Sequence, residues 1–364
     1  MRLMEVNMGL PNINISFSTA AATAIERSQK GIVAIILKDA NANGAYTLTK
    51  ATQIKTLLGT LGTNNQKYVE RAFWGYVNPP KKVIVYVLAD TETDLSKALQ
   101  YFENAQFDYL VGPTDCDSTE AAEISSWIKS QRAEGFISKA VLPNVAADTE
   151  GVINFTTSGI VVDGTTYTTA QYCSRIAGLI AGTPMTISCT YAPLSEVSTV
   201  DRLSKEEIDT TIDAGKFVVF YDGEKIKVGR GVNSLQTTTE SKGVAFKKIK
   251  IVEAVDMIRN DIKKTAEDSY IGKYSNSFDN KCLLITAIKG YFTGLENNGI
   301  LEKGTSIVDI DVDAQEQYLQ SIGTDTSKMS EQEIRMSATA DQVFLKAKIT
   351  ILDAIEDIDL NITI

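Results

Sequence analysis

The fold class is decided by residues 83–144, which read VIVYVLADTETDLSKALQYFENAQFDYLVGPTDCDSTEAAEISSWIKSQRAEGFISKAVLPN. In this stretch the apolar runs VIVYVL, YLVG and KAVLPN alternate with amphipathic segments. Strands that are apolar on both faces and separated by helices are typical of a parallel sheet covered on both sides. Asp117 and Glu120 have the spacing of a capping box, which predicts the start of the second helix. The sequence therefore predicts a central α/β region.

Outside this stretch the pattern is mixed. GIVAIILKD (31–39) predicts another buried strand, and residues 151–168 predict a small β-rich insert with a hairpin turn at Asp163-Gly164. From residue 243 the sequence predicts two helices, a strand at TSIVDIDVD (305–313), a polar loop, and a last strand at QVFLKAKITI (342–351). The C-terminal part is therefore predicted to be α+β.

Both ends of the chain alternate between apolar and polar residues, which is the pattern of a half-buried strand. The apolar positions are Ile13, Ile15 and Phe17 at one end and Ile358, Leu360, Ile362 and Ile364 at the other. Such a strand could fold back on its own sheet, stay disordered, or add to the sheet of another molecule. Donation to a neighbour explains both ends together. A donated strand makes a heterologous contact, which builds a ring or a helical filament.

These patterns predict a multi-domain α/β and α+β chain. The predicted parts are an extended arm (1–27), a small α/β domain (28–88), a central α/β domain with the insert (89–242), an α+β domain (243–352) and a strand-donating arm (353–364).

Composition excludes several functional classes. The 36 Lys and Arg residues against 46 Asp and Glu residues give a net charge of −10, which argues against a nucleic-acid partner. The chain has no histidine, which excludes His-dependent triads and HExxH zinc sites. Neither a membrane span nor a signal peptide is recognisable, so we expect folding in the cytoplasm. The cysteines are predicted to be small buried hydrophobic residues: Cys116, Cys173, Cys189 and Cys282.

Three short motifs suggest chemistry. VGRGVNS, with Gly229 and Gly231, has only part of a dinucleotide fingerprint. The acids at 309, 311 and 313 begin like a calcium loop, but Ala314 stands where glycine is required, so a strand with exposed acids is the better interpretation. DCDST, with Asp115, Asp117 and Thr119, resembles the DxDxT motif of Mg²⁺-dependent phosphatases. A phosphatase-like enzyme and a monomeric binding module remain the alternatives to an assembling protein.

Longer stretches carry a family resemblance. Several stretches share this resemblance: GLPNINISF (9–17) with AIERSQKGIVAIILKD (24–39), FVVFYDGEKIKVGRGVNSL (217–235), YIGKYSNSFDNKCLLITAI (270–288) and VFLKAKITILDAIEDIDLNITI (343–364). They resemble the tail sheath proteins of contractile phages and phage-tail-like bacteriocins, of the short type found in Gram-positive hosts. The resemblance covers both ends and much of the last part of the chain. The seven residues before Met8 fall outside this pattern, so Met1 and Met8 are both candidate translation starts.

The resemblance implies a non-enzymatic structural protein without a cofactor. Sheath subunits form six-fold rings stacked around an inner tube, and terminal arms complete sheets in neighbouring subunits. Contraction then drives the tube through a cell envelope. The implied partners are further copies of the chain, the tail tube protein, and baseplate and terminator proteins, in a virion tail or tail-like particle assembled in the host cytoplasm.

The resemblance also assigns residues to these roles. The alternating apolar residues at the two ends would form the arms, and the sheet that receives them would be lined by Val343, Leu345, Ala347 and Ile349. A basic cluster after residue 243 is more simply a solvated helix face, but it is also the expected tube-facing side: Lys247, Lys248 and Lys250.

Overall fold

The computed structural model describes residues 30–363. The chain divides into two compact units. The central unit contains residues 30–260, 298–300 and 351–363, and the C-terminal unit contains residues 261–297 and 301–350.

A seven-stranded sheet forms the middle of the central unit, in the order β2-β3-β1-β4-β5-β6-β9. All neighbours pair in parallel except β2, which is antiparallel to β3 at one edge. The strands are β1 (Ile32–Lys38), β2 (Gly44–Leu48), β3 (Lys82–Leu88), β4 (Tyr109–Val111), β5 (Lys139–Pro143), β6 (Val152–Phe155) and β9 (Lys216–Phe217). The parallel sheet predicted from residues 83–144 is confirmed, and the fold is mixed α/β.

Helices cover both faces of this sheet. Successive residues of β1 point to opposite sides, so Ile35 belongs to one apolar core and Ile36 to the other. The first core includes residues of α1 (Ile54–Leu57), α2 (Thr63–Ala72) and α5 (Thr169–Ala181). The second core includes residues of α3 (Ser96–Glu103) and α4 (Ser118–Ala133). The predicted capping box at the start of α4 is present, since Asp117 accepts hydrogen bonds from the backbone N–H groups of Thr119 and Glu120.

Small residues allow α5 to pack closely on α2. A Cβ atom at Gly178 would lie 2.0 Å from the backbone oxygen of Ala72. Smaller elements complete the central unit: the hairpin β7 (Ile160–Val162) and β8 (Thr165–Tyr167), helix α6 (Lys205–Asp213), and the antiparallel pair β10 (Val219–Tyr221) and β11 (Ile226–Val228). A 3-10 turn spans Ala51–Gln53, and another spans Val244–Lys247.

The C-terminal unit is α+β. Helix α7 (Ile249–Ser269) begins in the central unit and ends in the C-terminal unit. The C-terminal unit also contains α8 (Phe278–Asn297), α9 (Val312–Ser321), α10 (Glu331–Met336), and the two-stranded antiparallel sheet of β12 (Ile307–Ile310) and β13 (Leu345–Lys348).

The structure differs from the predicted domain and strand boundaries in several places. Residues 28–88 were assigned to a domain of their own, whereas β1 and β3 are strands of the large sheet, so residue 88 does not separate two sheets. The predicted insert 151–168 contains β6, which also belongs to that sheet, and only β7 and β8 form the hairpin. The predicted strand 305–313 ends at Ile310, because Asp311 caps α9 by accepting a hydrogen bond from Ala314.

Within residues 30–363, no helix combines the length and apolarity that crossing a membrane requires.

Candidate assembly surfaces

The C-terminal segment begins with a root that is fixed to the central unit. We define the root as residues 352–357. The backbone N–H of Leu352 donates to the carbonyl oxygen of Ile300 at 2.9 Å, and the ammonium group of Lys250 donates to the carbonyl oxygen of Leu352. Lys248 forms an ion pair with Asp353 at 2.5 Å, and Arg230 forms one with Asp357 at 2.5 Å. The root therefore has partners along its length.

Glu356 lies at the centre of these contacts. Its side chain is only 5% exposed. Oε1 accepts hydrogen bonds from the hydroxyl groups of Ser188 (3.1 Å) and Thr190 (2.5 Å). Oε2 lies 3.4 Å from Nζ of Lys248 and 3.7 Å from Nε of Arg230. Two hydroxyl groups and two cations thus converge on one carboxylate, and we call these four residues the Glu356 cradle.

The electrostatics favour the ionised forms of the paired groups. Burial disfavours the charged form of Lys248, but the hydrogen bond to Asp353 and the charge of Glu356 outweigh it and raise the pKa of Lys248. Burial likewise opposes ionisation of Asp353, but the hydrogen bond from Lys248 lowers the pKa of Asp353. These side chains therefore keep opposite charges at neutral pH.

The segment beyond the root has no such partners. Residues 358–363 make no hydrogen bond or ion pair within the part of the chain that the structure describes. Their apolar side chains are strongly exposed: Ile358 81%, Leu360 73% and Ile362 75%. Exposed aliphatic side chains in a row indicate a surface that another molecule covers. We call residues 358–363 the free arm, and Ile364 lies outside the described residues.

The sheet of β12 and β13 has strand edges that are not paired with another strand within the described residues. Among residues 30–363, β12 pairs only with β13, so each strand has one edge without a partner strand. The backbone N–H of Asp311 donates to the carbonyl oxygen of Phe344 at 3.0 Å, so these two residues form a hydrogen-bonded pair. Two residues further along the ladder, Asp309 and Lys346 form the next hydrogen-bonded pair. Antiparallel ladders alternate, so the backbone N–H and C=O groups of Ala347 point away from β12. These two groups therefore have the orientation that pairing with an additional strand requires.

The structure places the predicted acceptor residues as follows. Leu345 and Ala347 lie in β13, whereas Val343 precedes the strand and Ile349 follows it. Val343 and Ala347 are exposed, and the other two are half-buried. Their role as acceptors remains a prediction. The predicted N-terminal arm residues Ile13, Ile15 and Phe17 lie outside the described residues.

The lysines expected to face a tube have other contacts here. Lys248 and Lys250 bind the root, and Lys250 is 8% exposed. Lys247 ends a 3-10 turn and is half-buried. A contact of these lysines with a tube remains a prediction.

The enzyme-like motifs have structural roles. Asp117 caps α4, while Asp115 lines a cleft of about 410 Å³ together with Lys38, Asn65 and Asp90. No group of three or more Cys, Asp or Glu side chains within residues 30–363 is arranged to hold a metal ion.

The glycines of VGRGVNS do not form a dinucleotide turn. No helix begins in the residues that directly follow β11, whereas a dinucleotide turn leads into one. Gly231 instead packs closely on the loop of the Glu356 cradle: a Cβ atom there would lie 3.1 Å from the Ser188 hydroxyl oxygen. The three calcium-like acids have other contacts: Asp309 pairs with Arg335, Asp311 caps α9, and Asp313 lies 3.7 Å from the ammonium group of Lys346.

The buried cysteines agree with their predicted role. Cys116, Cys173 and Cys189 are buried, and burial raises the pKa of Cys116 and of Cys189 to about 12. Cys282 differs from the prediction, since it is half-buried.

Sequence comparison decides the family. A family profile described as the phage tail sheath protein central domain matches residues 89–234, and one described as the phage tail sheath C-terminal domain matches residues 241–364. The tail sheath protein of Clostridium phage phiCD119 is 38% identical over 360 residues, which span 97% of this chain and 99% of that protein. This chain belongs to the phage tail sheath family. It is therefore a tail sheath protein of the contractile systems.

Solved structures share the fold of this sheath protein. The anti-feeding prophage sheath in its contracted state matches with a TM-score of 0.71 and 15% identity, covering 98% of this chain and 99% of the other. A sheath tail protein from Desulfitobacterium hafniense matches with a TM-score of 0.68 and 20% identity, covering 78% of this chain and 91% of the other. The family resemblance predicted from the sequence is thus confirmed.

Sequence reasoning missed the division of the C-terminal segment into a root and a free arm. It assigned all of 353–364 to one donated strand, although Asp353, Glu356 and Asp357 bind the central unit. The available signal was charge: these acids interrupt the apolar alternation, and their partners lie in the basic segments around Arg230 and Lys248.

Proposed function

We propose that this sheath protein polymerises by donating its terminal strands to the β12–β13 sheets of neighbouring subunits. In this proposal, subunits form six-fold rings that stack helically around an inner tube. The observation that carries the proposal is the free arm, whose exposed aliphatic side chains follow directly after a root held by hydrogen bonds and ion pairs.

The energetics support donation. Each fully buried aliphatic side chain contributes roughly 1.5–3 kcal/mol, and each added ladder hydrogen bond contributes about 1 kcal/mol net. Ordering the arm offsets part of this gain. Because every subunit repeats the contact, a modest net free energy per copy is sufficient to hold a polymer.

In the proposed function, the sheath stores the free energy of contraction in a metastable assembly and releases it by rigid-body movement of subunits. Contraction drives the tube through the target envelope. The subunit has no catalytic role in this cycle and requires no cofactor. Two similar solved structures are a sheath and a baseplate of the anti-feeding prophage, which supports a sheath that assembles with a baseplate. The proposal further includes a tube protein as partner and assembly in the host cytoplasm.

The test compares the full chain with a chain that ends at Asp357 and so keeps the root. We expect electron micrographs of the concentrated full chain to show striated tubes, and the shortened chain to stay folded and unassembled. A length-matched variant, in which Ile358, Leu360 and Ile362 are changed to Ser, should behave like the shortened chain. Normal assembly of the shortened chain would refute strand donation by the C-terminal arm.

A further inference from the structure

The Glu356 cradle gives one side chain near the chain terminus four polar contacts, whereas terminal segments usually have few fixed contacts. A carboxylate that is removed from water needs hydrogen bonds or opposite charges to remain ionised. Glu356 has both, from Ser188 and Thr190 on one oxygen and from Lys248 and Arg230 near the other. All of these residues belong to the central unit.

The neighbouring side chains show that the root is held by its charges and not by its apolar residues. Ile355 is 88% exposed although it lies between the bound Asp353 and Glu356. Leu352 is held by its backbone groups, and its side chain is 37% exposed. Apolar burial therefore contributes little to the attachment.

We propose that Glu356 and its cradle anchor the root of the arm on its own subunit, so that the exchanged strand begins only at Ile358. Glu356 acts as a positioning residue: it fixes the point at which the free arm leaves the subunit. This inference rests on the proposed strand donation for its biological purpose, but the anchor itself can be measured in the unassembled chain.

An anchored root has a consequence for assembly. A donated strand on a short, fixed root searches a smaller volume than one on a longer flexible tether, which raises its effective concentration at the neighbouring sheet. Pre-ordering the root also removes part of the entropy cost of docking. The anchor thereby favours exchange in one direction and at one register.

Limited proteolysis with thermolysin tests the anchor. This protease cleaves before large aliphatic residues, and it needs an extended, released segment around the bond. In the dilute full chain we expect fast cleavage before Ile358, Leu360 and Ile362 and slow cleavage before Ile355, with the fragments identified by mass spectrometry. The Glu356→Gln variant keeps the shape of the side chain but loses its charge. Because hydrogen bonds to charged groups are worth roughly 1.5–3 kcal/mol, we expect cleavage before Ile355 to become about 10- to 100-fold faster.

Two further variants provide controls. Asp359→Asn also removes one negative charge from the segment, but Asp359 makes no hydrogen bond or ion pair within residues 30–363, so cleavage before Ile355 should stay slow. Thr190→Val removes a hydroxyl that donates to Glu356 without altering the arm, and it should accelerate the same cleavage. An unchanged thermal unfolding midpoint shows that each variant is folded.

The anchor would be refuted if cleavage before Ile355 in the unaltered chain were as fast as cleavage before Ile358, or if Glu356→Gln and Asp359→Asn gave equal rates. Failure of strand donation would give a different result. In that case the chain ending at Asp357 would still assemble, while the protection before Ile355 would remain.

Discussion

The two main sheets of this sheath protein differ in how complete they are. The seven-stranded sheet of the central unit is covered on both faces, and most residues of its inner strands are buried. The β12–β13 sheet has two strands, and most of β13 is exposed. An isolated two-stranded pair is only marginally stable in water. The first sheet therefore carries much of the core of the subunit, whereas in the proposed function the second sheet receives strands from other subunits.

The largest expected effect is on the free energy of unfolding, and it is measured by breaking one charge pair in the central unit and one in the β12–β13 sheet. Asp256 accepts two 3.0 Å hydrogen bonds from Arg132 and one from Lys139. The side chains of Asp256 and Lys139 are almost completely buried, and that of Arg132 is 13% exposed. Burial disfavours ionisation of Asp256, but the two cations outweigh it and lower its pKa. Asp256→Ala would remove the carboxylate nearest to Lys139 and one of the two acidic partners of Arg132, whose other partner is Glu150. We therefore expect a loss of about 3 kcal/mol in the free energy of unfolding, at the lower end for a broken buried pair.

The matched variant is Asp309→Ala in β12. Asp309 also forms a two-fold pair with an arginine, at 2.7 and 2.9 Å from Arg335, but its side chain is 43% exposed. Solvent screens such a pair, so we expect a loss of only about 0–1 kcal/mol. Urea denaturation of both variants measures the difference. Equal losses would contradict the assignment of the two regions to folding and to assembly.

The next effect is on assembly alone. Ala347→Pro removes a backbone N–H that points away from β12, so it should block an added strand and leave the β12–β13 pairing in place. We expect no tubes in electron micrographs and an almost unchanged unfolding midpoint. Lys346→Pro is the control. Lys346 pairs with Asp309 across the sheet, so a proline at this position removes a backbone N–H that faces β12 and should also disrupt the β12–β13 pairing. Tubes formed by the Ala347→Pro chain would exclude this edge as the acceptor.

The smallest effect is expected at the phosphatase-like motif. Asp115→Asn changes a side chain at the rim of a cleft, while the capping role of Asp117 is preserved. Surface changes of this kind usually alter stability by less than about 0.5 kcal/mol. We therefore expect normal tubes by electron microscopy. A Mg²⁺-dependent phosphatase activity that is present in the unaltered chain and absent from Asp115→Asn would support the enzyme interpretation instead.

Local patterns predicted much of the fold. The strands and helices of residues 83–144 and the capping box at Asp117 follow from apolar runs and side-chain spacing, which act within a few residues. The membership of β1 and β6 in one sheet depends on pairing between distant segments, which no local pattern contains. Helix α9 was missed because its start depends on the cap at Asp311, and the acids around it resembled an exposed strand.

The sequence predicted only part of the assembly surfaces, because local patterns do not contain contacts between distant segments. Alternation marked Ile358, Leu360 and Ile362, which the structure leaves exposed. It could not show that Glu356 is enclosed by Thr190 and Lys248, because those partners come from segments more than 100 residues away in the chain.

Mixing two assembly-defective chains tests strand donation most directly. The chain ending at Asp357 lacks the donor but keeps the β12–β13 acceptor, and the Ala347→Pro chain lacks the acceptor but keeps the donor. Each alone should remain monomeric in sedimentation velocity experiments and native mass spectrometry. We predict that an equimolar mixture forms a one-to-one complex that does not grow further. Two unaltered monomer peaks in the mixture would contradict the account.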